Sequence, residues 1–178
     1  MKKLFTFVFV ALFSLTLADF TYASENTSND LNLDLSNSKI IYQDEEITVG
    51  SFGNDPDIAK KIEESPTSVT NFEAVPYLTA TGPGGKATLD AGANGRTIYW
   101  SVKPATSWPW TFKGNIGLRY YSGFKRDVTI LGAGALGSSD SGYVYMNPNN
   151  GGRASLTGTA YAVNNSYYKV MPGVSVGF

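Results

Sequence analysis

Residues 112–121 read Phe-Lys-Gly-Asn-Ile-Gly-Leu-Arg-Tyr-Tyr. Phe112, Ile116, Leu118 and Tyr120 share one phase, and Lys113, Asn115, Arg119 and Tyr121 share the other. A period of two with one apolar and one polar phase predicts a β-strand with one buried and one wet face. The same alternation extends in both directions. Ile98, Trp100 and Val102 alternate with Thr97, Tyr99, Ser101 and Lys103, and Val128 and Ile130 keep the period, as do Val144 and Met146. Ala154, Leu156, Ala160 and Ala162 oppose Ser155, Thr157, Thr159 and Tyr161, and the chain closes on Val174, Val176 and Phe178.

Between these runs lie stretches made of turn residues. Gly82 to Gly85, Asp90 to Gly95, Tyr121 to Phe124, Gly137 to Gly142 and Asn147 to Gly152 are rich in Gly, Asn, Asp, Ser or Pro. Such residues adopt the φ values and local hydrogen bonds that reversals need. The expected fold is therefore all-β, an antiparallel β-sandwich or barrel of about seven to eight short strands. No Cys-Trp-Cys spacing supports an immunoglobulin-type topology, because the chain is cysteine-free.

The start of the chain has a different composition. Lys2 and Lys3 precede an uncharged, mostly apolar run from Leu4 to Leu17, and Thr21-Tyr22-Ala23 follows with small residues at both ends. This order reads as a secretory signal peptide over residues 1–23, cleaved between Ala23 and Ser24. A membrane span needs roughly 20 apolar residues, which this run does not reach. The expected product is secreted, extracellular or held at the cell envelope, with no transmembrane helix in its mature form.

Charge then divides the remainder. Ser24 to Val75 carries eleven acidic and three basic residues, whereas Pro76 to Phe178 carries three acidic and nine basic ones. Seventeen of the nineteen glycines fall after Pro76. These shifts place a boundary near residue 75, between an acidic segment of low structure (24–75) and the β domain (76–178). Within the acidic segment, Ile40-Ile41-Tyr42 and Ile47-Thr48-Val49 flank Asp44-Glu45-Glu46 and suggest a short hairpin. Asp55-Pro56 suits a helix start, with Asp55 as N-cap and Pro56 in the first helical position. Three readings of the segment stay open: a solvated linker, a pro-region masking the basic domain, and a calcium-binding patch. The last is disfavoured because residues 54–64 lack EF-hand spacing.

Composition removes whole classes of chemistry. The chain contains neither cysteine nor histidine. Thiol nucleophiles, disulfides, Cys-based zinc sites and triads built on Ser-His or Cys-His are excluded. Gly132 to Gly137 matches G-x-G-x-x-G, but a serine-rich turn follows where a dinucleotide site requires a helix. The carboxylates after residue 76 are Asp90, Asp127 and Asp140, each in or beside a turn. A glycosidase-type pair drawn from them has no local support. The protein is read as non-enzymatic, with no catalytic residue, cofactor, nucleotide or metal.

The surplus residues are aromatic and basic. Trp108-Pro109-Trp110 is expected in a loop, where tryptophan can stack on sugars, sit at a membrane interface or anchor a partner. Tyr99, Lys103, Lys113, Arg119 and Tyr121 fall on the outward phase, with Lys125 and Arg126 in the next turn. Together they suggest a basic, aromatic surface for a cell-envelope polyanion, a glycan or an anionic membrane surface. The leading expectation is a binding module. The alternative is a membrane-active antimicrobial or toxin released from a precursor whose acidic segment masks the basic domain.

Overall fold

The computed structural model describes residues 31–65, 78–148 and 150–178. The cleavage site at Ala23 and Ser24 and the boundary near residue 75 lie outside the described residues. The elements in chain order are η1 (Leu35–Asn37), β1 (Lys39–Gln43), β2 (Ile47–Gly53), α1 (Pro56–Glu64), β3 (Thr79–Gly82), β4 (Gly85–Ala91) and β5 (Thr97–Pro104). They continue with β6 (Trp110–Tyr120), β7 (Lys125–Gly134), β8 (Asp140–Met146), β9 (Gly152–Ala162) and β10 (Tyr167–Gly177).

The strands form two antiparallel sheets. The larger has the order β1-β2-β8-β5-β4-β3 and the smaller β10-β9-β6-β7. Strand β10 lies over β4 and β3, which brings the sheets face to face. The fold is thus an all-β sandwich, with more strands than the periodic runs alone suggest.

The alternation explains the core. Phe112, Ile116, Leu118 and Tyr120 of β6 point inward with Leu156 and Ala160 of β9, and meet Leu89, Trp100 and Val144 of the larger sheet. Room for the large rings is made by glycine. A methyl at Gly142 would collide with the Trp100 indole and the Gly50 carbonyl. The G-x-G-x-x-G run forms the end of β7 and the turn into β8, with no helix following.

The acidic stretch does not stand apart from the β structure. β1 and β2 form the expected hairpin, closed by Asp44, whose carboxylate accepts the Glu46 and Ile47 amides at 2.9 Å each. β2 is an inner strand of the larger sheet, paired with β8 and burying Ile47 and Val49 in the core. Helix α1 starts as expected, with the Asp55 side chain accepting from the Asp57 and Ile58 amides. It does not fray. Ile62 is fully buried with Leu33, Tyr99 and Tyr143 in a second, smaller core on the outward side of the larger sheet. A few apolar residues, Ile47, Val49 and Ile62 among them, anchor the described part of the segment.

Candidate binding face

The two outward faces of the sandwich differ. On the larger sheet, β-ladder pairing sets Gly50, Tyr143, Tyr99 and Asp90 in one row across four strands. Leu33 and α1 cover that row, and the Leu33 amide donates to the Tyr99 hydroxyl at 3.3 Å. Tyr99 is only 2 % exposed. This corrects its expected place on a binding surface: outward from the sheet is not outward from the protein when a helix lies on top.

The smaller sheet has no such cover among the described residues. Its outward side is a grid fixed by register. The row nearest the β5–β6 loop holds Ala133, Thr111, Tyr161 and Tyr167. The next holds Leu131, Lys113, Thr159 and Lys169, and the one after it Thr129, Asn115 and Thr157. Asp127, Gly117, Ser155 and Ser175 follow, and Lys125, Arg119, Arg153 and Gly177 complete the face. A shallow groove of about 300 Å³ runs over the middle rows, lined by Lys113, Asn115, Thr129, Thr157, Thr159 and Tyr161. The inward ring of Phe112 fills the space that Gly114 and Gly158 leave beneath the groove, since a methyl on either would strike it.

Charge on this face is one-sided. Asp127 is its only carboxylate in the described rows, and it is held by Arg119 at 2.8 Å. The Arg119 guanidinium also donates to the Leu118 carbonyl at 2.8 Å, which lays it along the sheet. Lys113, Lys125, Arg153 and Lys169 are exposed and have no ion pair among the described residues.

The other expected site residues scatter. Lys103 is exposed, but on the larger sheet. Arg126 is consumed by the β1–β2 turn: it pairs with Asp44 and with Glu46 at 2.9 Å, and reaches the Tyr42 hydroxyl at 3.3 Å. The Tyr42 hydroxyl, the turn amides and Arg126 hold the Asp44 carboxyl well below the usual carboxylate range. Tyr121 is exposed in the β6–β7 turn, at the end of the sandwich away from the β5–β6 loop. Trp108 and Trp110 part company. Trp108 is 55 % exposed in the loop, whereas Trp110 is 2 % exposed as the first residue of β6, facing the core. Two positions apart, they would share a face in a continuous strand; the start of β6 at Trp110, with Trp108 left in the loop before it, decides which is buried.

Residues that the sequence reading did not single out as site residues now matter most: Tyr161, Tyr167, Lys169, Arg153, Thr129 and Thr157. Arg153, Thr129, Thr157 and Tyr161 sit on wet phases that the alternation marks, whereas Tyr167 and Lys169 lie across a register shift from the Val174–Val176 run. Their adjacency depends on which strands pair, which the alternation does not mark.

The buried carboxylates do not form a catalytic pair. Asp140 faces the interior, where it accepts from the Ala133 amide of the opposing sheet at 3.0 Å and from the Ser141 amide at 2.9 Å. Asp90 is on the other side of the larger sheet, held by the Ala91 amide at 2.9 Å and by Ser65. Burial pushes both up to about 6. Glu63 is a clamp between α1 and the sheet, bonded to Lys86 at 2.6 Å and to the Ser101 hydroxyl at 3.3 Å.

No family model matches the chain, and no curated protein matches it. Two solved structures align over part of it. Northeast Structural Genomics Consortium target SoR45 has a TM-score of 0.33 and 10 % identity, over 56 % of this chain and 75 % of that one. The N-terminal domain of PorA has a TM-score of 0.21 and 16 % identity, over 57 % of this chain and 80 % of that one. Likeness at that level carries no argument about function. The class defined by the structure itself is an all-β sandwich in which, among the described residues, one outer face is covered and the other bare.

Proposed function

We propose that this chain is an exported, non-enzymatic binding module whose ligand is an anionic, hydroxyl-rich envelope polymer, taken on the bare face of the smaller sheet. The observation that carries this reading is a set of four cations, Lys113, Lys125, Arg153 and Lys169, without ion pairs among the described residues, on a face whose one described carboxylate is already engaged. Fixed positive charge raises the local concentration of a polyanion and speeds its capture. Between the cations lies a belt of Asn115, Thr129, Thr157 and Thr159, whose amide and hydroxyl groups can exchange hydrogen bonds with sugar hydroxyls. Tyr161 offers an exposed ring at the edge of the groove for stacking. The absence of cysteine and histidine from the sequence supports a role without thiol or imidazole chemistry.

The acidic segment bears on this reading. Among the described residues its carboxylates engage Arg126 and Lys86 of the later chain, and none pairs with a cation of the bare face. A precursor in which residues 24–75 are cut away would lose β2 from inside the larger sheet. Permanent tethering fits this packing better than release.

Retention of the purified chain on immobilised polygalacturonate tests the reading. Binding at low salt that falls steeply as salt rises supports it, since exposed charges are screened within about 8 Å at physiological ionic strength. No retention at low salt rejects it.

A further inference from the structure

Three loops meet at one end of the sandwich: β5–β6 (105–109), β7–β8 (135–139) and β9–β10 (163–166). Backbone bonds tie them into one apex. The Leu136 amide donates to the Ser107 carbonyl at 2.9 Å, and the Val163 amide to the Pro109 carbonyl at 2.9 Å. Each loop projects a large apolar side chain into solvent: Trp108, Leu136 at 90 % exposed, and Val163 at 66 % exposed. Leu136 also has φ 56°, in the left-handed region where a leucine is uncommon. The backbone of Leu136 ties two loops together, but its 90 % exposed side chain is not part of the core. The core lies below, and a turn residue such as Asn or Gly would satisfy the same geometry more readily.

The apex is a convex point, so it suits insertion rather than enclosure of a ligand. Successive rows of the bare face then follow a chemical order. Apolar tips come first, then exposed Tyr161 and Tyr167, then Lys113 and Lys169. Rows are spaced about 7 Å apart along the strands. A bilayer surface has the same order of depth: acyl boundary, an interfacial zone favoured by Trp and Tyr, and the headgroup plane where anionic lipids attract Lys.

We propose that this apex is a second, independent site, which docks the protein reversibly onto an anionic lipid bilayer with the Trp108, Leu136 and Val163 tips at the acyl boundary. Its apolar tips lie off the polymer groove while Lys113 and Lys169 serve both readings, so variants of the tips are what makes the two readings fail separately. Charge complementarity from Lys113 and Lys169 selects an anionic bilayer over a neutral one.

The test uses the chain from Ser24 onward, which contains every described residue. It is mixed with vesicles of phosphatidylcholine alone, or with 30 % phosphatidylglycerol, a proportion on the order of that in anionic leaflets. Co-sedimentation and tryptophan emission are recorded. Trp108 is exposed while Trp100 and Trp110 are buried, so a blue shift on binding reports the apex. The expected result is binding to the anionic vesicles with a blue shift. Leu136→Ser and Trp108→Ala should each weaken it at least about fivefold, while polygalacturonate retention and the unfolding midpoint stay unchanged. Failure to bind anionic vesicles at low salt overturns the proposal. So does equal binding by the Leu136→Ser and Trp108→Ala variants, or equal binding to neutral vesicles. Lipid-free self-association abolished by Leu136→Ser would also overturn it, by giving the apex to a second copy of this chain.

Discussion

Tyr99 of β5 and Lys113 of β6 occupy equivalent places, each on the outward phase of a central strand. One is sealed beneath Leu33 and α1, and the other stands in water on a face of lysine, threonine and asparagine. The outward side of the larger sheet sets Tyr99, Tyr143 and Thr88 beside Asp90 and Lys86, and these two charged residues are engaged by Ala91 and by Glu63 of α1. That of the smaller sheet carries cations whose burial would cost several kcal/mol each unless paired. The difference teaches that alternation marks which residues leave the central core, and that side-chain chemistry and a distant covering segment decide whether they meet solvent.

The largest expected effect comes from attacking the cover. Ile62→Ala should lower unfolding free energy by about 3 kcal/mol, read from urea midpoints, because it empties a fully buried site. Thr157→Ala on the bare face should stay within about 0.5 kcal/mol. Comparable losses from the two would erase the contrast between the faces.

Titration gives the next effect. Asp90 and Asp140 are raised to about 6 from an ordinary value of 3.8. The folded state therefore holds more protons than the unfolded state between those limits, and stability should fall as pH rises from about 4 to about 6, then level off. We expect a loss of about 1–2 kcal/mol per carboxylate, measured by denaturant unfolding across that range. Asp90→Asn should remove its share of the slope, because an amide can still accept from Ala91. A stability that rises with pH through this window would contradict the burial of these groups.

Binding variants probe the bare face alone. Lys113→Ala combined with Lys169→Ala should weaken polygalacturonate retention about tenfold, equivalent to about 1.4 kcal/mol, without shifting the unfolding midpoint. The smallest effect is expected at Arg126→Ala. Its ion pairs with Asp44 and Glu46 are partly exposed, so stability should drop slightly, and less so in high salt.

Much of the sandwich was legible because alternation is a local property. The phases of β6 and β9, the turn after Gly134 and the Asp55-Pro56 helix start all follow from neighbours in sequence. What escaped was non-local. The burial of Tyr99 depends on Leu33 and Ile62, distant in the chain; the alternating leucines at 31, 33 and 35 were the available signal, overlooked among acidic residues. The pairing of Arg126 with Asp44 could not be read without knowing that β7 begins near the β1–β2 turn. The candidate site shared this limit: Lys113 and Arg119 were found by phase, but the grid linking them to Lys169, Thr157 and Tyr161 requires the order β10-β9-β6-β7.

The central claim is that the bare face binds an anionic polymer while the covered face is core. Salt-dependent retention on polygalacturonate, compared between the native chain and the Lys113→Ala/Lys169→Ala variant, tests it most directly. The account predicts retention of the native chain at low salt, about tenfold weaker for the variant at unchanged stability. Equal retention of the two, or none by the native chain, would contradict it.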